Sequence, residues 1–420
     1  MPLLVKNIGK LLNVRTHQQL LRGVELAHLP LLDNAWLLVE GNTIAGFGSM
    51  EELPSAFKNI ECLDAAGGYL LPAWCDSHTH IVFAGSRENE FVDKIRGLTY
   101  AEISARGGGI LHSAKKLRES SEDELFNSAW ARLDEVSRMG TGAIEIKSGY
   151  GLTVESELKM LRVIKKLKQK SPLSIKATFL GAHSYPTEFK ENHAEYIRLI
   201  TGEMLPAIRE EGLADYIDAF CETGFFSPAE TEEIVRAGLE AGLKPKLHVN
   251  QLNSIGGIET GIRLNALSLD HLETLNEEDI DLLSGAKRIS GSCWNGVCTL
   301  LPTAAFFLRM NYQPARQLID KGCAVALASD FNPGSSPSGN MNFVVSLSCI
   351  QMKMLPAEAI NAATLNGAYA MDLAGELGSI TIGKKANLII TKPIPSPAYL
   401  PYAFGTDLIQ YVLIDGERIR

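Results

Sequence analysis

Eight short apolar segments recur along this chain, near residues 70–77, 142–147, 174–181, 215–221, 243–248, 266–270, 287–291 and 324–329, with helical patterns between them. The segment 155–169 sets Leu158, Leu161, Ile164 and Leu167 at helical spacing. At Ser227-Pro228-Ala229-Glu230 another helix is announced: Ser can cap, Pro suits the first helical position, and Glu completes the reciprocal box. Strand and helix alternating eight times imply a closed parallel barrel with an outer ring of helices.

The two chain ends read differently. Residues 35–47 form a hydrophobic strand, an acidic residue, the turn Gly41-Asn42 and a second strand, and residues 411–419 repeat the pattern around Asp415-Gly416. A two-stranded hairpin is marginal alone, so the two ends are expected to join in one small domain. A barrel fills about 250 to 300 residues, and the chain has 420. The expected architecture is therefore α/β, a distorted TIM (β/α)8 barrel over 67–375 with a small composite β-sandwich domain formed by 1–66 and 376–420.

Composition excludes several roles. A net charge of −9 and the lack of clustered basic residues argue against nucleic acid as a partner. The run Lys165-Lys166-Leu167-Lys168-Gln169-Lys170 reads as a solvated helix face. Seven scattered cysteines make no disulfide framework. Cys293 and Cys298 are the one close pair, and with no second pair to complete a tetrahedral set they read as core or loop thiols. The start Met1-Pro2-Leu3-Leu4-Val5-Lys6 lacks the apolar region of a signal peptide, and no stretch approaches the ~18 apolar residues of a membrane span. A cytoplasmic protein with no membrane partner is expected.

The chemistry gathers at strand ends. His78-Thr79-His80 closes the first apolar run, and residues two apart on a strand share a face, so both imidazoles can point the same way. His248, His271 and Asp330 each end a later run, and His183 lies just beyond the third. In a parallel barrel the carboxyl ends of the strands converge on one mouth. Histidines and an aspartate delivered there make a site for a borderline metal such as zinc or iron, with a position left for water.

Five stretches carry a family resemblance: Phe83-Ala84-Gly85-Ser86-Arg87-Glu88-Asn89-Glu90-Phe91, Gly107-Gly108-Gly109-Ile110-Leu111, Glu145-Ile146-Lys147-Ser148-Gly149-Tyr150-Gly151-Leu152, Thr178-Phe179-Leu180-Gly181-Ala182-His183 and Asp330-Phe331-Asn332-Pro333-Gly334-Ser335-Ser336. With His-x-His after strand one and Asp after strand eight, the chain resembles the amidohydrolase superfamily. Within it, the chain is similar to the imidazolonepropionase family, which opens the ring of 4-imidazolone-5-propanoate in histidine degradation. The resemblance spans nearly the whole chain. It implies one divalent metal, Zn2+ or Fe (2+/3+), held by His78, His80, His248 and Asp330, with His271 beside the catalytic water. Some superfamily members bridge two metals with a carboxylated lysine on strand four, but here that strand ends Ala219-Phe220-Cys221-Glu222. Lys147 falls on strand two and reads as a structural or ion-pair residue.

The resemblance maps substrate contacts onto Arg87, Tyr100, Tyr150, His183, Gln251, Asn332, Gly334 and Ser335. The residue types agree: the planar Arg87 fork can grip a propanoate carboxylate, and Tyr100, Tyr150 and His183 can line a ring-sized pocket. Gln251 stands where some relatives carry Glu, and an amide cannot take a proton, so it is expected to orient substrate while Asp330 and His271 handle proton transfer. The segment 292–298, placed after strand seven, departs from the family pattern and is expected to reshape the rim. The implied reaction is hydrolysis of a cyclic amide-like C–N bond giving N-formimidoyl-L-glutamate, by a homodimer. Two rival readings are a heterocycle aminohydrolase on the same fold and a non-catalytic barrel scaffold.

Overall fold

The structure, a computed structural model, describes residues 2–17, 19–98, 102, 108–289 and 293–420. Eight strands run parallel in chain order: Trp74–Thr79, Thr141–Lys147, Ser174–Ala182, Tyr216–Cys221, Lys244–Val249, Ser268–His271, Val297–Leu300 and Val325–Leu327. We number them barrel strands one to eight. Nearly every residue in them is buried, as expected for strands covered on both faces. Helices fill the crossovers, among them Val154–Lys170 and Pro228–Glu240; the latter starts with the Ser227 to Glu230 capping box.

The barrel closes through the segment that follows strand eight. The Asp330 amide donates to the His78 carbonyl at 3.0 Å, and the His80 amide to the Phe331 carbonyl at 2.9 Å. This closure carries Asp330 to the two histidines of strand one.

Two strand expectations are corrected. Strand seven is Val297–Leu300, not 287–291; residues 287 and 288 are exposed, and residues 290 and 291 lie outside the described residues. The segment 293–296 therefore enters strand seven at the end opposite the mouth, where the Trp294 indole donates to the Ala266 carbonyl at 2.7 Å, so it does not shape the rim. The apolar run of 70–77 is split at Ala73. Tyr69–Pro72 pairs with Leu388–Thr391 outside the barrel, and Trp74–Thr79 alone is strand one.

Both chain ends share a second, mostly antiparallel sheet of eight strands. Leu31–Glu40 and Thr43–Ser49 form the hairpin about Gly41-Asn42, and Ile409–Ile414 pairs with Glu417–Arg418 about Asp415-Gly416. This sheet has its own apolar cluster, including Val5, Ile8, Leu37, Leu70, Leu388 and Leu413, apart from the main core of the barrel. Among the described residues, no helix is long and apolar enough to cross a membrane.

Candidate metal centre

The ends of barrel strands one, five and six and the turn after strand eight bring His78, His80, His248, His271 and Asp330 to one point. His78, His80 and Asp330 offer ligand atoms within 4.8 Å of one another, and so do His78, His248 and His271. Asp330 Oδ1 lies 3.6 Å from His78 Nε2 and 3.5 Å from His80 Nε2, and those two nitrogens are 3.4 Å apart. All five residues are buried.

Carboxylates behind the rings fix their orientation. His78 Nδ1 donates to Asp270 Oδ2 at 2.7 Å, and His248 Nδ1 to Asp218 Oδ2 at 2.8 Å, which leaves Nε2 of each ring as the free lone pair. His80 packs its ring flat on His183, with centroids 5.4 Å apart. Burial drives two of the imidazoles toward neutrality, the form in which they bind metal: His78 is held well below its usual range, and His248 falls to about 4 despite Asp218. Burial pushes the Asp330 carboxyl up, but the His80 hydrogen bond and the neighbouring imidazoles outweigh it, and the net shift is downward.

These residues fit a metal. His248 Nε2 is buried without a hydrogen-bond partner among the described residues, a costly state that a bound cation relieves. Three imidazoles and a carboxylate, two of the rings backed by carboxylates, are a donor set suited to a borderline divalent ion.

Backbone conformation turns the groups inward. Along a strand Asp270 and His271 would face opposite ways, yet His271 adopts φ 85°, and both side chains reach the site. Asp330 has φ 53°, also rare for a residue with a side chain. Asn332 holds that turn: its Oδ1 accepts the Gly334 and Ser335 amides, each at 2.8 Å, and its Nδ2 donates to the Asp330 carbonyl at 2.7 Å. Ser335 Oγ donates to Asp330 Oδ2 at 3.2 Å.

A cavity of about 450 Å³ opens over the ligands, lined by His80, His248, His271 and Asp330 and by Arg87, Tyr150, His183, Gln251, Asn332, Gly334 and Ser335. The structure thus gathers every expected substrate contact except Tyr100, which lies outside the described residues. Arg87 Nε and Nη2 both donate to Glu90 Oε2, at 2.9 and 2.6 Å. Gly334 passes so close that a Cβ there would collide with the Arg87 guanidinium. His183 Nδ1 donates to the Gly149 carbonyl at 3.1 Å, and Gly149, at φ 105°, has no room for a side chain beside that ring.

Other residues of the site escaped the sequence reading. Glu273 accepts from His271 Nδ1 at 3.3 Å and from Gln313 Nε2 at 2.9 Å. Burial opposes the charged imidazole of His271, but Glu273 more than compensates, and its pKa is raised. Lys94 joins the cavity wall beside Arg87. The Glu157 carboxylate accepts the amides of Gly149, Gly151 and Leu152 and so shapes the Tyr150 loop. Glu222 does the same after strand four, taking the amides of Thr223, Leu252 and Asn253 next to Gln251. The His271-Leu272-Glu273 spacing repeats that of His78-Thr79-His80 and was a usable signal. Asp218 and Asp270 left none, being single acids inside apolar strands, and Glu157 reads as one of two ordinary first-turn acids of its helix.

The amidohydrolase family profile matches residues 69–419. An imidazolonepropionase of Flavobacterium johnsoniae is 60% identical over 417 residues, 99% of each chain, and one of Christiangramia forsetii is 55% identical over the whole of both. The chain belongs to the imidazolonepropionase family of amidohydrolases. An imidazolonepropionase of Alkaliphilus metalliredigens is 38% identical over 99% of this chain and 97% of its own. A zinc-bound adenosine deaminase from Xanthomonas campestris shares the fold, with TM-score 0.71 at 16% identity, over 99% of this chain and 92% of its own. So does a guanine deaminase of C. acetobutylicum with bound guanine, TM-score 0.70 at 16% identity, over the whole of both chains. Likeness at that identity speaks for the architecture alone.

Proposed function

We propose that this member of the imidazolonepropionase family hydrolyses 4-imidazolone-5-propanoate to N-formimidoyl-L-glutamate, using one divalent ion, zinc or iron, held by His78, His80, His248 and Asp330. The observation that carries this reading is one cavity in which the converging Nε2 atoms and Asp330 share a wall space with the Arg87 guanidinium. The ion, when bound, supplies Lewis acidity that polarises the ring carbonyl and brings the pKa of water from about 15.7 toward about 7.

The chain's own groups do the rest. Asp330 Oδ2, steadied by Ser335 Oγ, takes the proton of the attacking water. As the ring C–N bond breaks, the same oxygen returns that proton to the departing nitrogen, and the former carbonyl carbon, keeping the second water proton, becomes a carboxylic acid that then ionises to solvent. His271, oriented by Glu273, points toward the site and stabilises negative charge developing on the carbonyl oxygen. Arg87 anchors the propanoate, and Tyr150 and His183 flank the ring. Gln251, an amide, orients substrate without moving a proton. The small-molecule substrate accords with a cavity of this size. The chain works as a cytoplasmic homodimer in this reading.

The test is metal analysis of the purified protein together with spectrophotometric decay of imidazolonepropanoate. Stoichiometric metal with substrate decay and no free ammonia is expected. Ammonia release from a heteroaromatic amine, with imidazolonepropanoate untouched, would transfer the assignment to an aminohydrolase. Bound metal with no turnover of any cyclic amide would favour a scaffold.

A further inference from the structure

Behind the imidazoles, on the side away from the cavity, lies a closed group of charges that the reaction does not use. Lys147 on barrel strand two is fully buried, with Nζ 2.6 Å from Glu145 Oε1, 2.9 Å from Asp218 Oδ2 and 3.6 Å from Asp270 Oδ2. The last two oxygens are the same atoms that accept His248 Nδ1 and His78 Nδ1. Each is shared between one ammonium and one ring.

The remaining valences are also committed. Asp218 Oδ1 accepts the His248 amide at 3.1 Å, and Asp270 Oδ1 accepts the Ser268 hydroxyl at 2.6 Å. Lys246 pairs with the other oxygen of Glu145 and donates to the Ser77 and Ala370 carbonyls, each at 3.0 Å. Three buried carboxylates, Glu145, Asp218 and Asp270, therefore face two ammonium groups. Only Lys147 reaches all three, since the pairs of Lys246 are to Glu145 and backbone carbonyls among the described residues. Without its charge the two aspartates would repel each other and Glu145 in a low-dielectric interior, and burial penalises such unpaired charge heavily.

We propose that Lys147 is a positioning residue for the metal centre: one ammonium locks Asp218 and Asp270 together, so that His248 and His78 present their Nε2 atoms to a common point. The inference rests on the metal reading above. It assigns Lys147 the opposite role to a carboxylated bridging lysine, since carboxylation would abolish the positive charge that the three carboxylates share.

The sign of one mutational effect separates this role from its alternatives. A cation that acts only through space repels a bound metal, so its removal would tighten metal binding; a volume-filling side chain would leave affinity unchanged. A locking role makes affinity fall. The experiment is zinc competition against a chromophoric chelator on the full chain, comparing wild type, Lys147→Met and Glu145→Gln, with circular dichroism and melting of each metal-free protein alongside. Partners of metal-binding histidines are typically worth 10- to 100-fold in metal affinity, so Lys147→Met is expected to weaken zinc about 10- to 100-fold with its fold retained. Glu145→Gln touches no histidine and removes one arm of the lock; a smaller loss in the same direction is expected. Unchanged or tighter binding in a folded Lys147→Met protein overturns the proposal. If that variant does not fold, unchanged affinity in Glu145→Gln overturns it. Failure of the wild type to hold either zinc or iron stoichiometrically, or retention of metal by His248→Ala, would instead break the metal reading on which the proposal depends.

Discussion

The two walls of the cavity are built on different supports. The metal-facing wall is carried by strand ends, with His78 and His248 each tied to a fully buried carboxylate that is in turn tied to Lys147. The opposite wall is carried by Arg87 and the short helix Glu88–Ile95, none of whose residues is buried, and the guanidinium is held by Glu90 within that same helix. Strands locked into a closed barrel fix a ligand set in space. The helix meets the rest of the chain at its surface, through Lys94 to the Gly334 carbonyl, Glu90 to the Gly109 amide and Phe91 stacked on Phe307. The division suits the chemistry, because metal geometry tolerates little error whereas a flexible propanoate can be met in several ways.

Mutations on the two walls should therefore fail differently. The largest effect is expected from His248→Ala, which should lose metal and turnover together, beyond the ~100-fold at the top of the range for outer partners; metal content and kcat measured on one preparation check it. Asp330→Asn should follow, with kcat lower by about 10²- to 10⁴-fold, the usual contribution of a positioned general base; steady-state kinetics at saturating substrate would read it. On the other wall, Arg87→Ala should keep its metal and raise KM by about 10- to 100-fold, in line with the roughly 1.5–3 kcal/mol of a hydrogen bond to a charged group. A fall in metal content in that variant would erase the distinction between the walls. The smallest effect is expected from Glu273→Gln, which keeps a hydrogen-bonding partner for His271 but removes the charge: about tenfold or less in kcat, with metal content and KM unchanged.

Sequence periodicity made one wall legible and left most of the other hidden. His78, His80, His248, His271 and Asp330 could be read because each closes an apolar run, and in a parallel barrel all such ends share a mouth. The partners Asp218 and Asp270 could not, since a lone acid within a strand does not announce which ring it will meet across the barrel. Strand seven was misplaced because Val297-Cys298-Thr299-Leu300 is four residues long and wholly buried, too short to show any period. The split at Ala73 was hidden for a related reason: one unbroken apolar run, 69–75, serves two different sheets. Arg87 was reached only through family resemblance. Its i,i+3 spacing to Glu90 suits a helical ion pair, but that pattern is common to solvated helices and does not point to a cavity.

The most direct test of the gathered strand ends is X-ray absorption at the metal edge of the protein as purified. The expected spectrum fits a single ion with three imidazole nitrogens and carboxylate oxygen at about 2.0–2.2 Å. A sulfur shell near about 2.3 Å, or a second metal at about 3.5–4 Å, would contradict it.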